Sequence, residues 1–99
     1  MPKFHKVQTE LETSYFFHCP GCNYAHSVRA VGMEPRWNVS GIEEDKPTVS
    51  PSILCNGIPQ AKAAGLVRCH SFVKDGNIQF LADCDHALAG QTVEIPDFD

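Results

Sequence analysis

The chain has 99 residues, of which 42% are hydrophobic and 20% are charged, with a formal net charge of −4 and an isoelectric point near 5.6. This size and composition predict one globular domain, residues 1–99, whose small core would gain from a metal ion. The negative charge disfavours nucleic-acid binding, and the absence of any run of about 18 apolar residues argues against a membrane partner.

The number of cysteines helps to predict the cellular compartment of the protein. Five cysteines are an odd number, which fits a set of disulfides poorly. The first residues lack the apolar segment of a signal peptide, so the sequence predicts a cytoplasmic protein with reduced thiols. Reduced thiols are free to bind a metal ion or to pack in the core.

The first half of the chain predicts short strands. Residues 1–10 are polar and fit either a frayed arm or a short edge strand. The segment Thr13–His18 is aromatic and β-prone, and Ala25–Val31 alternates polar and apolar residues, so each predicts a strand. A further short strand is predicted around Trp37, which we expect to lie in the core.

Two cysteines lie between the strands predicted at 13–18 and 25–31, in the sequence Cys19-Pro-Gly-Cys22. Proline and glycine form a tight turn that directs both thiolates towards one ion, which makes this motif a metal-binding knuckle. The same motif serves redox chemistry in thioredoxin-like proteins, but those need a βαβ unit that this sequence does not predict.

The second half of the chain begins with an extended segment and a loop. Residues 47–54 contain two prolines, which exclude a helix interior and disfavour a central strand. Residues 56–65 predict a loop with room for one helical turn. Near the end, an aspartate could cap a short helix over residues 86–89, and residues 91–95 predict a last strand.

The strongest local signal is a β-hairpin that turns at Asp75-Gly76, because apolar and polar residues alternate on both sides of this pair. A two-residue turn there fixes the register of both strands. One face of the hairpin is then predicted to hold Cys69, Ser71, Val73, Ile78, Phe80, Ala82 and Cys84. On the opposite face, His70 and Asp83 become diagonal neighbours.

The knuckle and the hairpin together predict a tetrahedral four-cysteine site for Zn²⁺. The predicted ligands are Cys19, Cys22, Cys69 and Cys84. A histidine could replace one of them, either His26 after the knuckle or His86 after the last cysteine. The simpler alternative is that the hairpin cysteines are buried small hydrophobes, as we expect for Cys55. That alternative leaves the knuckle as an isolated dithiol, so zinc is preferred.

Another group of polar residues fits serine-type hydrolysis. A serine of residues 47–54, or Ser71, would be the nucleophile, with a histidine as base and a carboxylate that orients it. The candidate catalytic residues are Ser50, Ser52, His70, Asp83, His26 and His86. No G-x-S-x-G motif is present. Serines beside prolines also form turn hydrogen bonds, so spacing alone favours a structural role.

Four unusual strings occur in the order FHCPGCNYAH, PRWNVSG, KPTVSPSIL and RCHSFVKDGNIQFLADCDHALAGQTVEIP. Across residues 17–96 they resemble a family of small bacterial and prophage proteins, some of which are labelled ammonia monooxygenase. That family is similar to the BubE-like peptidase of bacterial ubiquitin-like conjugation operons, which is proposed to process or remove a ubiquitin-like protein. The resemblance implies a hydrolase, and no copper-type histidine cluster supports ammonia oxidation.

The expected fold is mainly β, a small β-sheet domain built as an open barrel or sandwich, with a zinc knuckle and one short helix. The expected function is a zinc-stabilised serine-type peptidase or esterase that acts on the C-terminus of a ubiquitin-like or other small protein partner. The alternative is a non-enzymatic, structural-zinc interaction module of prophage origin. A hydrolase whose zinc carries the attacking water is a third hypothesis. The sequence makes no prediction of the oligomeric state.

Overall fold

The computed structural model describes residues 2–57 and 59–98, without the side chain of Lys62. The elements in chain order are β1 (His5–Gln8), β2 (Thr13–Cys19), β3 (Tyr24–Val31), β4 (Asn38–Ser40), β5 (Thr48–Cys55), α1 (Pro59–Ala63), β6 (Cys69–Lys74), β7 (Asn77–Phe80) and β8 (Thr92–Glu94). Within the described residues the strands form two antiparallel sheets, ordered β1-β2-β3 and β4-β5-β6-β7-β8. The prediction of a mainly β fold is therefore confirmed, and β1 is the edge strand that one of the two alternatives proposed.

Both sheets bury one face against a shared core. Alternation along β2 and β3 turns Phe17 and Val28 inwards, and alternation along β6 and β7 does the same for Val73 and Ile78. The buried apolar residues of the core are Phe4, Phe17, Cys19, Val28, Val49, Ile53, Cys69, Val73, Ile78, Phe80, Cys84 and Ile95. The arrangement is a two-layer sandwich of open sheets.

The hairpin forms as predicted. In its register Ser71 faces Phe80 and Val73 faces Ile78, and both turn residues, Asp75 and Gly76, have positive φ. The predicted inward face is buried apart from Ala82, which is exposed because the β7 ladder ends two residues earlier. The outward face of β6 carries His70, Phe72 and Lys74.

The expectation that residues 47–54 avoid a central strand is wrong, because β5 lies between β4 and β6. The ladder accommodates Pro51 by a bulge. Val49 pairs with Val73 and Ile53 pairs with Ser71, so three residues of β5 stand opposite a single residue of β6. A proline can occupy such a position because no ladder hydrogen bond is required of it there.

The predicted short helix exists, but the helix expected at residues 86–89 is wrong. The helix is α1, in the loop where one helical turn was expected, and residues 87–90 form turns. The Gly90 N–H donates to the Phe80 carbonyl at 3.0 Å, which draws this segment back onto β7 before a helix can continue. Among the residues that the structure describes, no helix has the length and hydropathy to cross a membrane.

Candidate functional site

His70 lies between a serine and a carboxylate on the outer face of the five-stranded sheet. Its Nε2 is 3.2 Å from Ser52 Oγ, and its Nδ1 is 3.2 Å from Asp83 Oδ2. The His70 side chain is 25% exposed and that of Asp83 is 43% exposed, so a substrate can reach the group. The order of contacts is that of a serine–histidine–carboxylate triad.

The β5 bulge places Ser52 beside the histidine. Leu54 pairs with His70 across the ladder, and Ser52, two residues earlier on the same face, becomes its diagonal neighbour. The indole N–H of Trp37 donates to the Ser52 carbonyl at 3.2 Å, which holds the bulge from the β4 side. The sequence predicted that Trp37 lies in the core. In the structure Trp37 is half-buried and packs against the core from its edge.

The backbone of His70 is clamped from the end of the hairpin. The His70 N–H donates to Cys84 Sγ, and the Cys84 thiol donates to the His70 carbonyl, both at 3.2 Å. The Leu81 N–H donates to the same carbonyl at 2.9 Å. These bonds fix the strand from which the imidazole projects.

Arg68 is a site residue that the sequence reasoning missed. Its Nε and Nη2 donate to Asp83 Oδ2 at 3.2 and 2.9 Å, and its Nη1 donates to the Gly57 carbonyl at 3.3 Å. Arg68 first, and then His70, hold the pKa of Asp83 below its ordinary value. The signal was present, because continuing the predicted hairpin register from Ser71 opposite Phe80 puts Arg68 opposite Asp83.

The other candidate catalytic residues lie elsewhere. Ser50 is exposed on β5, and Ser71 is buried with no hydrogen-bond partner for its Oγ. Among residues 2–57 and 59–98, no hydrogen bond joins either serine to a histidine. His26 is 5% exposed and lies among cysteines, and the ring of His86 packs against the backbone of Gly21.

Three cysteines and His26 meet where the knuckle contacts β6. The donor atoms of Cys19, Cys22, His26 and Cys69 all lie within 4.8 Å of one another, and the cysteines are free thiols. Cys19 Sγ and Cys69 Sγ are 3.9 Å apart. Two thiolates on one tetrahedral zinc are separated by roughly 3.8 Å, given Zn–S bonds of about 2.3 Å. His26 Nε2 is buried without a partner, so this cluster could hold a metal ion.

Crowding of the thiols perturbs their protonation. A hydrogen bond from Cys69 lowers the pKa of Cys19 to about 3, and burial, followed by the charge of Cys19, raises that of Cys22 to about 11. The same hydrogen bond raises the pKa of Cys69. Burial lowers the pKa of His26, but the nearby sulfurs of Cys19 and Cys55 have the larger combined effect and raise this pKa to about 9. A metal ion bound there would replace the proton of His26 and pair with the deprotonated thiols.

The predicted four-cysteine set is divided between two groups. Cys84 is outside the first cluster and forms a second with Cys69 and His86, whose donor atoms also lie within 4.8 Å of one another. The His86 ring passes within 2.4 Å of where a Cβ on Gly21 would be, so the knuckle needs glycine there. Cys55 was expected to be a core cysteine without a partner, but its Sγ lies 3.6 Å from His26 Nδ1.

The geometry defines a class of protein: a small β-sandwich with a serine–histidine–carboxylate group on one sheet and a Cys/His cluster that joins the two sheets. The family model described as "Bacterial ubiquitination-like system serine protease (BubE)" matches residues 2–81, and the chain belongs to that family. The match includes Ser52, His70 and the whole first cluster, and ends two residues before Asp83. Neither the curated proteins nor the solved structures gave a significant match.

Proposed function

We propose that the protein is a zinc-stabilised serine-type peptidase or esterase. The observation that carries the proposal is that His70 contacts Ser52 Oγ with one ring nitrogen and Asp83 with the other, each at 3.2 Å. A histidine placed in this way can accept a proton from the serine while the carboxylate holds its orientation. The serine-protease description of the family supports the same chemistry.

In the proposed mechanism Ser52 Oγ attacks the carbonyl carbon of the substrate and His70 Nε2 accepts the hydroxyl proton. The tetrahedral intermediate collapses, the bond to the leaving group breaks, and His70 donates that proton to the leaving nitrogen or oxygen. An acyl group remains on Ser52. Water, activated by His70, then attacks this ester, releases the acid and restores the serine. Asp83 accepts the Nδ1–H of His70 throughout.

The proposed metal is structural. Cys19, Cys22, Cys69 and His26 would hold zinc as a closed set of four protein ligands, which is typical of structural rather than catalytic sites. When bound, zinc would join the knuckle after β2 to the first residue of β6. Since Cys69 precedes His70 directly, this connection fixes the start of the strand that carries the base.

The proposed substrate is a polypeptide, and the scissile bond lies at the C-terminus of a ubiquitin-like or other small protein. The family's place in a ubiquitination-like system supports a protein partner. We place the reaction in the cytoplasm, because the five free cysteines suit a reducing compartment. The clustered serine, histidine and aspartate favour the hydrolase over the non-enzymatic interaction module. That module would have a zinc cluster but no clustered serine, histidine and aspartate.

Hydrolysis assays with matched serine variants test this proposal. Zinc-loaded protein is assayed with p-nitrophenyl acetate and with internally quenched peptides. We expect Ser52→Ala to lower kcat/KM at least about 10³-fold. Ser50→Ala, two residues away on the same strand, is the matched control and should keep its activity. Equal activity in wild type and Ser52→Ala would refute the proposed nucleophile.

A further inference from the structure

We infer that a groove beside the Ser52–His70 pair binds an apolar side chain of the polypeptide substrate, close to the bond that Ser52 attacks. The inference rests on the proposed function and deepens it by naming a feature of the substrate. The groove has a volume of about 550 Å³. Its lining residues are Leu54, Asn56, Gly57, Gln60, Ala61, Ala64 and Leu66.

The groove is continuous with the catalytic group. Leu54 forms one wall and pairs directly with His70 across the β5–β6 ladder, so the groove begins one residue position from the base. Gly57 forms another part of the wall, and its carbonyl accepts the Arg68 guanidinium that also binds Asp83. A peptide whose carbonyl lies at Ser52 can therefore place a nearby side chain in the groove, since residues of an extended chain are about 3.3 Å apart.

The residues that line the groove determine which kind of substrate side chain it can bind. The seven lining residues are four apolar side chains, two amides and a glycine, and none of them is charged. Leu54 and Leu66 are 48% and 50% exposed, so apolar surface stays open to water at this place. A leucine-sized side chain would cover that surface, whereas a charged side chain would lose water and meet no charged group among the seven lining residues.

A smaller pocket with a more polar set of lining residues lies further along the outer face. On the other side of His70, Phe72 borders a smaller pocket of about 230 Å³, which it shares with Lys74, Asp75 and Asn77. Four of its six lining residues carry charged or amide side chains, so this pocket also offers polar contacts to the same peptide. The apolar groove is thus the part of the surface that would set substrate preference.

Cleavage of a peptide series tests the inference. Internally quenched peptides that differ at one position, with Leu, Gly, Asp or Lys there, are scanned over the three residues on each side of the scissile bond. At one of these positions we expect kcat/KM for Leu to exceed that for Asp and Lys by roughly 10–100-fold. No apolar preference at any position would overturn the inference.

Variants of the groove supply the second test. Ala64 is exposed, so Ala64→Arg should fold, fill the groove and introduce a cation. We expect the Leu preference to fall at least about tenfold and cleavage of the Asp peptide to rise. Leu66→Ala should weaken the preference without a new charge. Val31→Arg, at a position 56% exposed on the other sheet, is the matched control and should cleave like wild type. An unchanged preference in Ala64→Arg would contradict the inference.

The two proposals fail in distinguishable ways. Hydrolysis of p-nitrophenyl acetate, which is too small to reach the groove, reports on Ser52 separately from the groove. If this ester is cleaved through Ser52 but the peptides show no apolar preference, only the groove assignment is wrong. Binding of the Leu peptide to Ser52→Ala is followed by NMR shifts of the Leu54 and Leu66 methyl groups. Absence of these shifts at saturating peptide would refute the assignment independently of activity.

Discussion

Arg68 and His70 donate to the same oxygen of Asp83. The Asp83 side chain is 43% exposed, so water screens the charge of its carboxylate. Asp83 therefore acts on His70 mainly through the geometry of their hydrogen bond and less through its negative charge. Arg68 approaches through two nitrogens, which restricts the carboxylate to the orientation that meets His70 Nδ1. At the scale of single residues, Arg68 is therefore a positioning residue of the proposed hydrolase.

We predict that Arg68→Met lowers kcat roughly 3–30-fold and leaves KM within about twofold, because the base is less well oriented. Arg68→Lys keeps the charge but not the fork, and should recover only part of the rate. Steady-state kinetics on a quenched peptide provides the measurement. In an Asp83→Asn background Arg68→Met should have no further effect, and additive losses would show that Arg68 acts by another route.

A second residue-scale prediction separates the two candidates for the fourth metal ligand. His26→Ser should lower zinc affinity at least about 10-fold, because it removes a proposed ligand. Cys84→Ser should keep one zinc per chain but lower kcat, since the Cys84 sulfur binds the backbone of His70. Competition with a chelator and elemental analysis measure both. Cys55→Ser is the matched thiol control. Loss of zinc from Cys84→Ser alone would restore the four-cysteine site.

At the scale of elements, the β5 bulge determines where the nucleophile lies. The bulge leaves Ser52 outside the regular ladder, and the Trp37 indole supplies a hydrogen bond that holds its carbonyl. A hydrogen bond of this kind contributes about 1 kcal/mol to stability. Ser52 is thus positioned in part by Trp37, which lies just before β4.

We predict that Trp37→Phe folds with a small loss of stability and lowers kcat roughly 3–10-fold, because the bulge becomes less fixed while the ring still packs on the core. Thermal unfolding and peptide kinetics are measured together. Arg36→Met removes a guanidinium that binds Glu34 on the surface, and this control should match wild type in both measurements. A kcat for Trp37→Phe equal to that of wild type would mean that the indole does not position Ser52.

The hairpin and the bulge also show which elements a sequence can predict. The register of β6 and β7 followed from one Asp-Gly turn and period-two alternation, both local features. The central position of β5 did not, because a bulge is a property of two strands and Pro51 argued against it. The helix was misplaced for a similar reason, since the bond from Gly90 to Phe80 depends on tertiary structure.

The candidate site likewise could be predicted only where it depends on local sequence patterns. His70 and Asp83 could be paired from the hairpin alone, whereas the choice of Ser52 over Ser50 required the β5–β6 register. The grouping of His26 with the knuckle likewise depends on the β2–β3 pairing, in which His26 faces Phe17. Contacts between strands that are far apart in the chain could not be predicted from the residue pattern of any single segment.

On the scale of the whole molecule, the Cys/His cluster connects the two sheets through Cys69 and the knuckle. Structural zinc contributes directly to folding energy in domains of this size. We predict about one zinc per chain, and a melting temperature at least about 10 °C lower after removal with a chelator. Calorimetry before and after zinc is restored measures this, with buffer exchange alone as control. An unchanged melting temperature would contradict a structural metal.

The central claim is that Ser52 is an activated nucleophile. The most direct measurement is intact and peptide mass spectrometry after reaction of the zinc-loaded protein with a fluorophosphonate probe. We expect one adduct, located on Ser52 and formed by displacement of fluoride from phosphorus. Ser52→Ala and His70→Ala should not react, whereas Ser50→Ala should react like wild type. The absence of an adduct on the folded protein, or an adduct on Ser50 or Ser71 instead, would contradict the claim.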